Sequence, residues 1–253
     1  MKRGLPISVT MLTKNSEKYL KASLDSLQGF DEVVVLDNGS KDRTLEIAAK
    51  FPNVTIHTHP FTGFGPMKNL AAQKARNDWI LSVDSDEVLS DELAASLAAA
   101  DLSKPETVFL FDRLNHYRRK PVRCCGWHPD TVMRLYNRTH TAFSDAMVHE
   151  SLLIRPDTVK KRLEGKLLHY PFDGAASLLQ KLQRYSDLYA QQSDKRSSPA
   201  KAFGRALFAF FKNYFLQRGF LCGYEGLLIS VSNANGVFYK YIKLYEKSLE
   251  EKA

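Results

Sequence analysis

Val33-Val34-Val35-Leu36-Asp37-Asn38-Gly39-Ser40 sets four consecutive apolar residues before an acid and a turn. Apolar residues on both faces predict a central strand of a parallel sheet, covered on each side. Upstream, residues 7–12 read as an earlier strand. Leu20, Leu24 and Leu27 then recur at helical spacing over 16–27, with Asn15 or Ser16 placed to cap that helix. Downstream, 44–50 is helical, 54–58 a third strand, 67–76 a helix and 79–83 a fourth strand. This alternation predicts right-handed βαβ units and an α/β fold with a mostly parallel central sheet.

In such sheets ligands bind beyond the carboxyl ends of the strands. The residues that follow the second and fourth strands are Asp37, and then Asp84 and Asp86. Asp37 in Asp-Asn-Gly-Ser suits either a nucleoside contact or an Asx-type turn. In Asp84-Ser85-Asp86-Glu87, two acids leave an extended strand two residues apart. That spacing suits Mg²⁺ or Mn²⁺ completed by phosphate and water oxygens; the alternative is an acidic cap for a helix starting near Ser90. Phe61-Thr62-Gly63-Phe64-Gly65-Pro66-Met67-Lys68-Asn69 is a glycine-bearing loop in which Lys68 opens a helix, suited to a diphosphate or simply to solvent. The turn Thr13-Lys14-Asn15-Ser16 has no glycine, which weighs against the pyrophosphate loop of a dinucleotide enzyme. The chain also lacks a P-loop.

The stretches 7–15, 33–44 and 79–90 resemble the donor half of glycosyltransferase family 2, inverting enzymes of the GT-A fold. Within that family the chain is most similar to bacterial lipopolysaccharide core β-1,4-glucosyltransferases. The likeness continues through Gly126-Trp127-His128-Pro129-Asp130, Arg134-Leu135-Tyr136, Val148-His149-Glu150 and His169-Tyr170. It implies a catalytic domain over 1–175, with a donor half to about residue 100 and an acceptor half after it. It further implies that Thr13, Asn15 and Asp37 hold uridine, that Lys68 lies near the diphosphate, that Asp84 serves ribose or metal, and that Asp86 binds the metal. Glu150 matches the general base, with Asp145 competing for that role. Trp127, Arg134 and His149 are expected contacts for acceptor or substrate, although Trp127 equally suits a core position. His149 and His169 are open to metal, phosphate or purely structural roles. Asn38 departs from the family pattern, where many relatives have Asp.

The implied reaction transfers a sugar, glucose from UDP-glucose, to a heptose hydroxyl of the lipopolysaccharide inner core with Mg²⁺ or Mn²⁺ as cofactor. Transfer of another sugar to polyprenyl phosphate or another envelope glycan is the alternative within the class. A net charge of +8 and a pI near 9.3 call for an anionic partner. A basic nucleic-acid-binding module is disfavoured, because acids at the ligand edge would repel phosphates, and no nucleic-acid partner is expected. Intact Asp84, Asp86 and Glu150 weigh against a degenerate, non-catalytic binder.

From 176 to 253 helical patterns predict a basic, aromatic extension, broken at Ser197-Ser198-Pro199. Lys201, Arg205 and Lys212 share one helical face, opposite Phe203, Leu207, Phe210, Phe211 and Tyr214. That pattern suits a membrane surface or a helix packed on the catalytic domain. No apolar run reaches the roughly 18 residues of a membrane span, and no signal peptide is evident. The expected location is cytoplasmic, peripheral at the inner membrane, with a lipid-linked glycan as acceptor. Three cysteines in no paired framework are read as thiols.

Overall fold

The structure, a computed structural model, describes residues 4–148 and 150–250. They form two compact units. The first runs to Arg113 and resumes over Thr131–His169; the second joins Leu114–Asp130 to the segment from Tyr170 onward.

In the first unit, strands β1 (Leu5–Thr13), β2 (Phe30–Asp37), β3 (Val54–Thr58) and β4 (Trp79–Ser82) alternate with helices α1 (Glu17–Asp25), α2 (Thr44–Ala48) and α3 (Phe64–Lys74). The strands lie in the order β3-β2-β1-β4, all parallel. Strand β2 shows why its sequence is uninterrupted. Val33 and Val35 pack with Ile7, Val9, Leu20 and Leu24, Val34 packs with Ala72 and Ile80, and Leu36 meets Met67 and Ala71 of α3. All four residues of the run are buried, so a polar side chain at any of them would lose water without gaining a partner.

Past β4 the sheet changes sense. Strand β5 (Glu87–Leu89) precedes helix α4 (Asp91–Ala98), whose first turn is capped by Ser90 accepting the Leu93 N–H. Strand β6 (Thr107–Tyr117) pairs antiparallel with β8 (Thr131–Asn137), which pairs antiparallel with β4; β9 (Val159–Phe172) pairs antiparallel with β5. The full order is β3-β2-β1-β4-β8-β6-β9-β5, with the two-residue β7 (Lys120–Pro121) paired to the end of β6. The α/β class therefore holds with a mixed sheet, its parallel half carrying the strands that were legible as βαβ units. Antiparallel neighbours need no crossover helix, so the second half lacks that helical punctuation.

The second unit contains the ends of β6 and β9, β7, and helices α5 (Ala175–Gln192), α6 (Pro199–Phe211) and α7 (Gly223–Glu250). A π-helical turn over Lys212–Leu216 and a 3₁₀ turn over Gly219–Cys222 link α6 to α7. Ser198 caps α6 by accepting the Lys201 N–H, and Pro199 occupies the first turn, where its missing N–H costs nothing. The core of this unit gathers Tyr117, Val122, Cys124, Cys125, Phe172, Leu178 and Ile229. Here one expectation is corrected. Cys124 and Cys222 form a disulfide, and only Cys125 is a free, buried thiol. Spacing along the chain held no sign of this pairing, because folding alone brings the two positions together.

Phe203, Leu207, Phe208, Phe211, Phe215 and Leu216 are each about half exposed or more. Phe210 and Tyr214 are partly buried and stack on each other at 5.4 Å. The aromatic face is thus divided, with most of it in solvent. No helix among the described residues is long and apolar enough to cross a membrane.

Candidate active site

The carboxyl ends of β1, β2 and β4 are adjacent, with Thr13 opposite Asp37 and Thr10 opposite Ser82. Asp37 and the acids that follow β4 therefore share one sheet edge. Asp37 is almost fully buried, and its hydrogen bonds are internal. One carboxylate oxygen accepts the Gly39 and Ser40 N–H groups at 2.9 Å each. The other accepts the Thr13 hydroxyl at 2.9 Å and the Ser40 hydroxyl. Burial pulls the Asp37 pKa upward, but these donors outweigh it and hold the carboxyl below its usual range. Gly39 sits at φ +97°, a conformation that favours glycine, which fixes this turn. Asn15, itself at φ +50°, ties the neighbouring loop in: its N–H donates to the Ser40 hydroxyl and its side-chain oxygen accepts the Lys41 N–H, both at 2.8 Å. Thr13, Asn15 and Asp37 thus knit one loop, and the hydrogen bonds of the Asp37 carboxylate are made within it. Ser16 stands at the N-cap of α1 without capping it, because its N–H goes to Thr44 and its hydroxyl accepts from Ser85.

Asp84 and Asp86 are engaged by different partners. Asp84 Oδ2 accepts from Arg134 at 2.9 Å, and Oδ1 faces Lys68 Nζ at 3.4 Å. Asp86 Oδ2 lies 3.6 Å from His169 Nε2. That contact follows from register, since Glu87 is paired with His169 across β5 and β9. Glu87, fully buried, is the hub beneath. It accepts from Arg134 at 3.2 Å, from Arg113 at 3.3 Å and from the Asp84 N–H at 2.9 Å. Burial pushes the Glu87 pKa up, against the pull of Arg134. Burial also raises that of Asp84, but Arg134 and then Lys68 outweigh it and hold Asp84 well below the carboxylate range. Arg134 is buried as the counter-ion of these acids, which leaves little of it for the acceptor contact expected from sequence.

Lys68 joins the two halves of the site. Its buried ammonium lies 3.0 Å from Glu150 Oε1, 3.4 Å from Asp84 Oδ1 and 5.0 Å from the centre of the Phe143 ring. A lysine taken out of water needs such compensation, and here two carboxylates and an aromatic face supply it. Asp145 is exposed. His149 lies outside the described residues. Trp127 belongs to the second unit, half-buried against its core and stacked on Phe172 at 5.4 Å. Sequence reasoning missed Glu87 and Arg113 as members of the charged cluster, because their partners meet only in the fold.

The donor set suits a divalent cation in one limited sense. Among the described residues no group of three or more His, Cys, Asp or Glu is arranged to hold a metal. Asp86 with His169 offers one hard oxygen and one imidazole, so the remaining ligands of Mg²⁺ or Mn²⁺ would be phosphate and water oxygens.

An uncharacterized glycosyltransferase of Rickettsia typhi is 28% identical over 97% of this chain and 89% of its own length. The lipopolysaccharide core biosynthesis glycosyltransferase LpsC of Rhizobium meliloti is 26% identical over 96% of this chain and 93% of its own. Among solved structures, Staphylococcus aureus TarS 1-349 in complex with UDP-GlcNAc covers 98% of this chain and 92% of its own, with 17% identity and a TM-score of 0.49. The family model described as "Glycosyl transferase family 2" matches residues 8–148, which include most of β1, all of β2 to β4, and Asp37, Lys68, Asp84 and Asp86. The chain is a glycosyltransferase and belongs to glycosyl transferase family 2.

Proposed function

We propose that the protein is an inverting, cation-assisted transferase that moves a hexose, glucose in the first instance, from UDP to a heptose hydroxyl of the lipopolysaccharide inner core. The observation that carries this reading is the Lys68 bridge, one buried cation that contacts both Asp84, on the donor edge, and Glu150, on the acceptor side. The likeness to LpsC supports the choice of acceptor.

In this reading uridine rests on the loop knitted by Thr13, Asn15 and Asp37. Lys68 lies toward the diphosphate, and Asp84 toward the ribose or the cation. Asp86, with His169 beside it, would hold Mg²⁺ or Mn²⁺. A cation held there would supply Lewis-acid stabilisation of the departing diphosphate. Glu150 takes the proton of the acceptor hydroxyl as its oxygen bonds to the anomeric carbon, and the bond from that carbon to the β-phosphate oxygen breaks on the opposite face. A general base of this kind contributes about 10²–10⁴-fold. UDP leaves without protonation, so no second carboxylate is required as acid, and an α-linked donor yields a β-linked product. Asp145, five residues earlier, is the competing base.

The acceptor in this reading is lipid-linked, and the second unit meets the cytoplasmic face of the inner membrane. No acid occurs between Lys195 and Tyr224, whereas Lys195, Arg196, Lys201, Arg205, Lys212 and Arg218 flank the exposed Phe203, Leu207, Phe211 and Phe215. Apolar side chains rimmed by cations suit an anionic bilayer surface.

The test of the donor site is thermal. UDP-glucose is expected to raise the melting temperature with Mn²⁺ present and not without it, and Asp86→Ala to abolish the shift. An unchanged shift in Asp86→Ala removes the metal assignment.

A further inference from the structure

Phe143 and Leu152 close the base of a loop that carries Glu150. They pair as an antiparallel bridge, and the Ser144 N–H donates to the Ser151 carbonyl at 2.9 Å. The arm on the Phe143 side lies along the first turns of α3. The Phe64 N–H donates to the Met147 carbonyl and the Gly65 N–H to the Ala146 carbonyl, each at 3.1 Å. One turn on, the Asn69 side chain donates to the Phe143 carbonyl and accepts the Phe143 N–H, both at 2.9 Å. An amide that pairs with both main-chain groups of one residue replaces a strand neighbour, fixing the position and the rotation of that residue. Gly65 makes the approach possible, because a Cβ there would lie 1.8 Å from the Ser144 carbonyl oxygen.

We infer that Asn69 is a positioning residue for Glu150. It anchors the loop at Phe143, while Lys68, its neighbour on α3, receives the Glu150 carboxylate at 3.0 Å. Two successive residues of one helix therefore fix the start of the loop and the carboxylate near its end. The inference rests on the proposed role of Glu150 as base.

The test is a kinetic cycle with UDP-glucose and a heptose-terminated inner-core oligosaccharide, following UDP release in wild type, Asn69→Ala, Glu150→Gln and the double variant. Asn69→Ala is expected to lower kcat about 10–100-fold, the scale of a misplaced catalytic group, with the donor KM within about twofold. In the Glu150→Gln background the same substitution is expected to cost nothing further, because residues acting as a unit are non-additive. Asn69→Asp, which keeps the acceptor for the Phe143 N–H and loses the donor, is expected to fall between. Hydrogen exchange adds a readout without substrate: amides of 141–153 are expected to exchange faster in Asn69→Ala while those of α3 stay protected. Wild-type turnover in Asn69→Ala beside a crippled Glu150→Gln overturns this inference alone, as do losses that multiply in the double variant or unchanged exchange. Wild-type turnover in Glu150→Gln overturns the base assignment, and the role of Asn69 falls with it.

Discussion

The two units break opposite rules of burial. Around α3 the first unit takes charges inside: Glu87, Arg134 and Lys68 are buried, each satisfied by an oppositely charged neighbour. Along α6 and the turns after it, the second unit leaves large apolar side chains outside, Phe203, Leu207, Phe211, Phe215 and Leu216 among them. Neither arrangement is what stability alone selects. A buried charged network is at best neutral against a well-packed apolar core, and a contiguous exposed apolar surface marks a place of contact. The first fits a site that meets a charged, transferable substrate, and the second a region that meets a surface.

The sharpest way to break this contrast is to remove the cation beneath the acids. Arg134→Met leaves Glu87 buried with one fewer partner and Asp84 without its nearest guanidinium. Deleting one member of such a network costs about 3–5 kcal/mol, read as a lowered midpoint in urea. A loss below about 1 kcal/mol would show that the cluster is solvated rather than internal. In the second unit the opposite is expected. Leu207→Ser with Phe211→Ser removes exposed groups, so stability should change by only about 0.5 kcal/mol per site. Partition into vesicles rich in anionic phospholipid should instead fall at least tenfold, since each apolar side chain of this size is worth about 1.5–3 kcal/mol when buried. Binding of wild type to those vesicles should weaken with salt and be slight on zwitterionic ones. Equal binding to both lipid types would remove the cation rim from the account, and a salt-insensitive dimer without vesicle binding would reassign the surface to a second copy.

The smallest effect concerns Asp37. Its folded pKa lies below the unfolded value near 3.8, so its contribution to stability is present above that value and is lost as pH falls below it. The stability difference between wild type and Asp37→Asn should therefore be constant above about pH 5 and narrow toward pH 3. A difference that stays constant across that range would mean the turn does not favour the ionised carboxylate.

Legibility in the sequence followed the same physics. Strands β1 to β4 were readable within about three residues at their ends because parallel strands covered on both faces favour apolar runs, as Val33 to Leu36 show. The break read at Ser197-Ser198-Pro199 is where α6 begins, with Ser198 as its cap, a signal that is local in the chain. The antiparallel half was less so, since β6 and β9 each pass from one unit to the other. Partners brought together only by tertiary folding left no mark in the sequence: Arg134 with Glu87, Lys68 with Glu150, Asn69 with Phe143 and Cys124 with Cys222. Asp84 and Asp86 stood out as a pair by spacing, whereas their separate partners depended on β8 and β9.

The most direct measurement compares donor binding and transfer in Glu150→Gln. Calorimetry with UDP-glucose and Mn²⁺ should return an affinity within about twofold of wild type, while transfer to the inner-core acceptor falls about 10²–10⁴-fold. Transfer within a few-fold of wild type would contradict the account, because the proton of the acceptor hydroxyl would then be leaving by another route.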